Sequence, residues 1–216
     1  MAQAREMFEQ AIAHDPDFAG AYAELSHLYL INWHHQWSDA PKDLEHAYEL
    51  VRKAVALDES LPEAHTYPGW IDVWRGRHAE AVTEAKRAVE IDPNFAEGYA
   101  RLAEILTFAG KPGEGIELMK KAMRLNPHYF GWYLFALGHA YYLAGEPGEA
   151  TATLRRAVVR SPNFLPAHLI LAAVHGEAGE MEEAQAAVAE ILRISPRYAL
   201  ALVRRRPYSD GAVLTA

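Results

Sequence analysis

The sequence predicts an all-α chain, a solenoid of stacked helix-turn-helix hairpins, and three observations lead to that expectation. Asp/Asn/Ser-Pro pairs recur at Asp15-Pro16, Asp92-Pro93, Asn126-Pro127, Ser161-Pro162 and Ser195-Pro196; with Asp58-Glu59 completing the series, successive spacings are 43, 34, 34, 35 and 34 residues. Other columns keep the same step: small residues at Ala11, Ala54, Ala88, Ala122 and Ala157, broken only by Ile191, and at Ala4, Ala47, Ala81, Gly115, Ala150 and Ala184, with glycines at Gly76, Gly110, Gly145 and Gly179. Between glycine and the next landmark the pattern is helical. Ala81, Ala85 and Ala88, or Ala150, Leu154 and Ala157, share one face at three- and four-residue spacing.

Each unit is therefore two helices. Helix A starts just past the proline and ends near the glycine, which supplies a left-handed turn; helix B runs to the next landmark. In order, the chain holds a leading helix B at 3–14, full units at 19–61, 62–95, 96–129, 131–164 and 165–198, and a tail at 199–216, all in a single domain of residues 1–216. Eleven main helices and no strand are expected. A lone hairpin cannot bury both its apolar faces, so neighbours must stack. The leading helix lacks a preceding helix A to cover Phe8 and Ile12, and Ala199–Val203 begins a helix that Pro207 interrupts. These ends predict self-association or a chain cut from a longer one.

Tyr99, Leu102, Ala103, Ala122 and Pro127, and in the next unit Leu137, Gly138, Tyr141, Ala150, Leu154, Ala157 and Pro162, resemble the pattern of the tetratricopeptide repeat (TPR). The resemblance covers roughly residues 3–198 and implies a right-handed superhelix whose A helices line a concave groove. More narrowly, the run LNPHYFGWYLFALGHAYYLAGEPGEA, the extended first unit ending in Trp37-Ser38 and the closing RRRPYSD resemble the C-terminal repeat region of bacterial class III adenylate cyclases and related signalling proteins. No cyclase domain accompanies them, so no catalytic residue carries over.

Composition narrows the functional classes. A formal charge of −8 argues against general phosphate-backbone binding, and the absence of cysteine excludes disulfides, thiolate metal sites and a Cys nucleophile. No apolar run approaches the roughly 18 residues of a membrane span. The chain reads as cytoplasmic, without nucleic-acid or membrane partners. A phosphate-cradling glycine loop, a GxSxG elbow and an HExxH helix are absent, so neither enzyme activity nor a cofactor is expected.

Departures from the repeat are the places to look for individual features. Nine extra residues fall around LINWHHQWSDAP, Leu30–Pro41, where helix A is expected to run on and turn at Ser38-Asp39. Trp33, His34, His35 and Trp37 there form a candidate projecting contact; adjacent histidines on a helix point about 100° apart, so no metal site is expected. Pro68 stands where other A helices carry Leu25, Leu102, Leu137 and Leu171, predicting a kink or a late start. Asp72 takes the column of Tyr29, Leu106, Tyr141 and His175, with His65, Arg75 or His78 as expected partners unless the kink turns it to water. His65, His168 and His175 read as packed, hydrogen-bonded side chains. The dibasic pairs Arg52-Lys53, Lys86-Arg87, Lys120-Lys121 and Arg155-Arg156 read as a solvated outer face.

By the resemblance, the concave groove is lined by His27, Trp70, Trp74, Glu104, Phe108, Trp132, Phe135, His139 and Tyr142, with the ligand expected across the second to fourth full units, held mainly by Trp70, Trp74, Phe108, Trp132, Phe135 and Tyr142. This lining is aromatic and lacks the Lys, Arg and Asn of carboxylate-clamping relatives. It suits a partner peptide or helix held by aromatic anchors. Alternatives are a sensory pocket around Trp70, Trp74, Phe108 and Trp132 for a small apolar ligand, or a self-assembly module. The first prediction concerns the fold alone: far-ultraviolet circular dichroism should show helix, and a substantial sheet signal would overturn the assignment.

Overall fold

The structure is a computed structural model that describes residues 2–34 and 42–196. Among the described residues there are eleven α-helices and no strand: α1 (Ala2–His14), α2 (Ala19–His34), α3 (Lys42–Leu57), α4 (Pro62–Trp74), α5 (His78–Ile91), α6 (Ala96–Phe108), α7 (Pro112–Leu125), α8 (Gly131–Leu143), α9 (Pro147–Arg160), α10 (Leu165–Glu177) and α11 (Met181–Ile194). They divide into two compact units, one up to Ile105 and one from Leu106 onward. In the first unit α2 pairs with α3 and α4 with α5; α1 lies against α2, and α4 rests on both α2 and α3. In the second, α8 pairs with α9 and α10 with α11; α7 lies against α8, and α10 rests on both α8 and α9.

Local chemistry explains where the helices stop. Gly76, Gly110, Gly145 and Gly179 all have φ between 73° and 78°, the left-handed region that L side chains avoid. Each closes a Schellman corner: Gly76 N–H donates to the Val73 carbonyl and Arg77 N–H to the Asp72 carbonyl, a pair repeated at Gly110-Lys111, Gly145-Glu146 and Gly179-Glu180. At the other end of the repeat the landmark pairs are Asx turns. Asp15, Asp58, Asp92 and Asn126 each accept, through the side chain, the N–H two residues on, at 2.8–3.1 Å. Asp58 therefore keeps the period without a proline, because the carboxylate makes the turn. The Ser60 hydroxyl and amide hold its carboxyl below the usual aspartate value.

Within each hairpin the helices cross through small residues. Ala47, Ala54, Ala81, Ala85, Ala88, Ala122, Ala150 and Ala157 are all buried, and Ser26 Oγ donates to the Ala47 carbonyl at 2.8 Å. Gly69 sits at such a crossing, where a methyl group would stand 2.7 Å from the Ala81 carbonyl oxygen and 3.1 Å from Ile105 Cδ1. The A helices α4 and α8 are buried almost all round, whereas the B helices show a buried stripe and a wet back.

The first A helix runs on as expected. α2 has 16 residues, against 13 in α4, α6, α8 and α10. The expected turn at Ser38-Asp39 lies outside the described residues. Pro68 does not delay α4, which starts at Pro62, where a proline costs no hydrogen bond, and stays helical through Pro68 to Trp74. Packing against α2, α3 and α5 holds the helix across the missing donor. In α1 no residue is fully buried, and Phe8 and Ile12 are half-buried.

The crossing geometry yields the second prediction. Alanine at position 69 would gain up to ~1 kcal/mol of helix propensity but collide with backbone, so Gly69→Ala should destabilise by about 1–3 kcal/mol. Gly148, with nothing within 4 Å of its added methyl, is the control: Gly148→Ala should be neutral or stabilising by up to ~1 kcal/mol. Urea unfolding midpoints read the difference.

Candidate functional site

In the first unit the expected groove residues lie on α2, α4 and α6. His27 stacks on Tyr67 with ring centroids 4.7 Å apart and planes 15° apart. Trp74 meets Trp33 edge-on at 4.9 Å and Trp70 edge-on at 6.2 Å, so three tryptophans from α2 and α4 form one cluster. Trp70 is 6% exposed, while Trp74 and His27 are half-buried. Of the other projecting-contact candidates, His34 is the last residue of α2, and His35 and Trp37 lie outside the described residues.

Glu104 is buried and not alone. Arg101 Nη1 donates to Glu104 at 3.3 Å and Arg101 Nε to Glu97 at 3.1 Å, while the guanidinium lies 5.7 Å from the Trp70 ring centroid. Burial alone would lower the Arg101 pKa, but the Glu97 and Glu104 carboxylates more than offset it and hold the group charged. Burial also pushes the neighbouring Tyr67 phenol up, with Glu24 adding to the effect. The groove lining drawn from the repeat pattern missed Arg101. The signal was the spacing Glu97, Arg101, Glu104, which stacks three charges on one face of α6. With both acids engaged, Arg101 is a charge-paired clasp beside the tryptophans.

In the second unit the expected residues form another strip. Phe108 meets His139 edge-on at 5.4 Å, Phe135 stacks on His139 at 5.8 Å and meets Phe164 at 5.2 Å, and Trp132 packs against Tyr133 at 4.5 Å. Phe108, Phe135 and His139 are buried; Trp132 and Tyr142 are half-buried. The Tyr142 hydroxyl donates to Glu177 Oε1 at 2.5 Å, tying α8 to α10. The aromatic faces of both units thus combine core residues with half-open ones.

The histidines are hydrogen-bonded, and two do the same job. His65 Nε2 donates to the Glu59 carbonyl at 3.0 Å and His168 Nε2 to the Pro162 carbonyl at 2.9 Å, each reaching six residues back to its Asx or Ser turn. His175 Nδ1 lies 2.5 Å from Glu180 Oε2. Among the described residues no group of three or more His, Asp or Glu is placed to hold a metal ion, and no helix is long and apolar enough to cross a membrane.

Asp72 has a partner other than those expected. His65 bonds to Glu59, Arg75 pairs with Glu45 at 2.6 Å, and burial lowers the pKa of His78; the Asp72 carboxylate instead pairs with Arg77. The Schellman corner explains the choice. It brings the first and last of its six residues together, and here those two are Asp72 and Arg77. Asp72 also lines a cleft of about 450 Å³ with Tyr48, Arg77, Ala79, Glu80, Thr83 and Glu84. Burial raises its pKa more than Arg77 lowers it.

A sequence model of the tetratricopeptide repeat matches residues 96–129. The structure is similar to TTC0263, a thermophilic TPR protein of Thermus thermophilus, at TM-score 0.68 and 24% identity over 87% of this chain and 96% of that one. It is similar also to a chain of the APC/C hetero-tetramer Cut9-Hcn1, at TM-score 0.77 and 19% identity over 94% of this chain and 39% of that one. YrrB, a TPR protein with an unusual peptide-binding site, aligns at TM-score 0.54 and 21% identity over 92% of this chain and 97% of that one. In sequence, 80 residues are 34% identical to "Putative adenylate cyclase 3" of Rhizobium meliloti (strain 1021), covering 37% of this chain and 14% of that protein. The match therefore spans a small part of that relative's length. Residues 96–129 thus carry a tetratricopeptide repeat, and the chain has the all-α helical-repeat fold of its TPR neighbours. Proteins of this class are typically non-enzymatic scaffolds for protein–protein interaction.

The third prediction follows from the direction of the Asp72 shift. An acid held above its ordinary value of 3.8 favours the fold in its protonated form. Its contribution is greatest below that value, is lost as pH rises through the folded pKa, and is flat above it. The unfolding free energy of the wild type minus that of Asp72→Asn should therefore fall as pH rises above about 4. A difference that grows over that range would mean the Arg77 pair outweighs burial.

Proposed function

We propose that the chain is a non-enzymatic interaction module that takes a partner peptide or helix against the aromatic faces of its A helices, within a bacterial signalling protein working in the cytoplasm. One observation weighs most. In the first unit, half-buried Trp74 stands edge-on to both Trp33 and Trp70, an aromatic platform backed by core and open on one side. Tryptophan in such a setting offers a large contact area at small entropic cost, which is why it dominates binding hot spots. Half-buried Trp132 and Tyr142 give the second unit a comparable strip. The charged clasp of Arg101 with Glu97 and Glu104 gives the first platform a polar rim. The signalling context rests on the 80-residue likeness to the putative adenylate cyclase.

The test uses peptides selected on the intact chain from a phage-displayed library. Trp74→Ala and Trp132→Ala should each cost about 2 kcal/mol or more in binding while leaving the thermal midpoint nearly unchanged. Trp70→Ala, a deletion of a core ring, should instead destabilise by about 3–5 kcal/mol. If Trp74→Ala and Trp132→Ala lower the midpoint as Trp70→Ala does and binding persists, the aromatic faces are core and the reading fails.

A further inference from the structure

The dibasic ladder on the B helices is not uniform. Arg52-Lys53, Lys86-Arg87 and Lys120-Lys121 each follow a glutamate by a few residues, and Lys120 does pair with Glu117 at 3.3 Å. Arg155-Arg156 of α9 instead follows Thr151, Ala152 and Thr153, so its own helix offers it no carboxylate at pairing spacing, Glu149 standing six residues before Arg155. Among the described residues no carboxylate pairs with Arg155, Arg156 or Arg160. Arg156 Nη2 donates to the Tyr129 hydroxyl at 3.4 Å, and the Arg160 guanidinium lies 4.9 Å from the Tyr129 ring centroid. Arg160 is accounted for by its place in the last turn of α9, where a cation meets the helix's carbonyl end. No such reason applies to Arg155 and Arg156, which sit in mid-helix.

These arginines surround a cleft of about 440 Å³ lined by Tyr129, Leu134, Arg155, Arg156, Val159 and Arg160, all within the second unit. The tyrosine is braced by Tyr133, stacked on it at 5.9 Å, and Leu134 is buried. Val159 is 82% exposed and Phe130, next to Tyr129, is 69% exposed. A basic, partly apolar cleft on a chain of net charge −8 selects its ligand by two criteria. The unpaired guanidiniums call for carboxylates, which they can hold with charge-assisted bonds. The bare valine calls for an aliphatic group beside them, which a simple anion lacks.

We propose that this cleft is a docking site for an acidic peptide segment, with an aliphatic side chain set against Val159 between carboxylates held by Arg155 and Arg156. The site is separate from the aromatic faces of the A helices, and neither assignment depends on the other.

The experiment is fluorescence anisotropy on the full chain with a fluorescein-labelled Glu-Glu-Leu-Glu-Glu peptide, with Glu-Glu-Gly-Glu-Glu and inorganic tripolyphosphate as competitors. Saturable, salt-sensitive binding is expected, weakened about tenfold or more both by Arg155→Gln with Arg156→Gln and by Val159→Asp. Lys86→Gln with Arg87→Gln, the equivalent pair on α5, should leave it unchanged, as should Trp74→Ala. All these positions except Trp74 are exposed, and circular dichroism checks that every variant folds. Absence of saturable binding overturns the proposal. So does equal loss on changing Lys86 and Arg87, which marks diffuse attraction, and so does displacement by tripolyphosphate or the glycine peptide as strong as by the leucine peptide itself, which marks a bare anion site.

Discussion

The close crossing of helix A over helix B through residues of little bulk is the constraint on which the rest of the structure depends. Gly69 against the Ala81 carbonyl and Gly138 against Leu154 leave no room for a methyl group, and the facing alanines are sealed from water. Because the crossing is filled by backbone and methyls, larger apolar side chains must sit to either side of it. There they form two faces that one hairpin cannot cover. Stacking follows from that geometry, and so does the composition of α8, GWYLFALGHAYYL, which is apolar on every side because it has a neighbour on nearly every side.

Most of the fold was legible because its signals are local. A left-handed glycine, an Asx side chain bonded two residues on, and an alanine at a helix crossing each act within a few residues of themselves, so the repeat could be read in one dimension. The candidate site was legible only in part. The pattern found the aromatic face of each A helix, but not how far a ring is covered by the next helix, and so Phe108, Phe135 and His139 are buried while Trp74 and Trp132 are half-open. Asp72 shows the same limit from the polar side. Its candidate partners were sought at helical spacing or on neighbouring helices, and the true partner lies across a glycine turn. Pro68, expected to kink or delay α4, does not delay it, and the helix continues through the missing donor.

The corners also show how a repeat absorbs variation. The six-residue Schellman turn needs only its backbone bonds, and its first and last side chains are free to differ. Asp72 with Arg77 bridges one corner by charge and His175 with Glu180 bridges another by a hydrogen bond, while Leu106 with Lys111 and Tyr141 with Glu146 leave the same positions to aliphatic and aromatic packing. A column that looks degenerate in sequence is therefore a place where different chemistry serves one backbone shape. His65 and His168 illustrate the opposite case, in which one side chain in one column makes one bond twice.

A chain of near-copies faces an ambiguity that chains of unique elements do not: any hairpin resembles the correct neighbour of any other. The three additional residues of α2, about 4.5 Å of helix, bear on it. They carry the helix far enough for Trp33 to reach Trp74, and the positions equivalent to Trp74 in later units are Phe108, Leu143 and Glu177. The longer helix thus meets α4 through an indole pair that Phe108, Leu143 or Glu177 could not complete. An irregularity in length thus sets the first hairpin apart in an otherwise repetitive sequence.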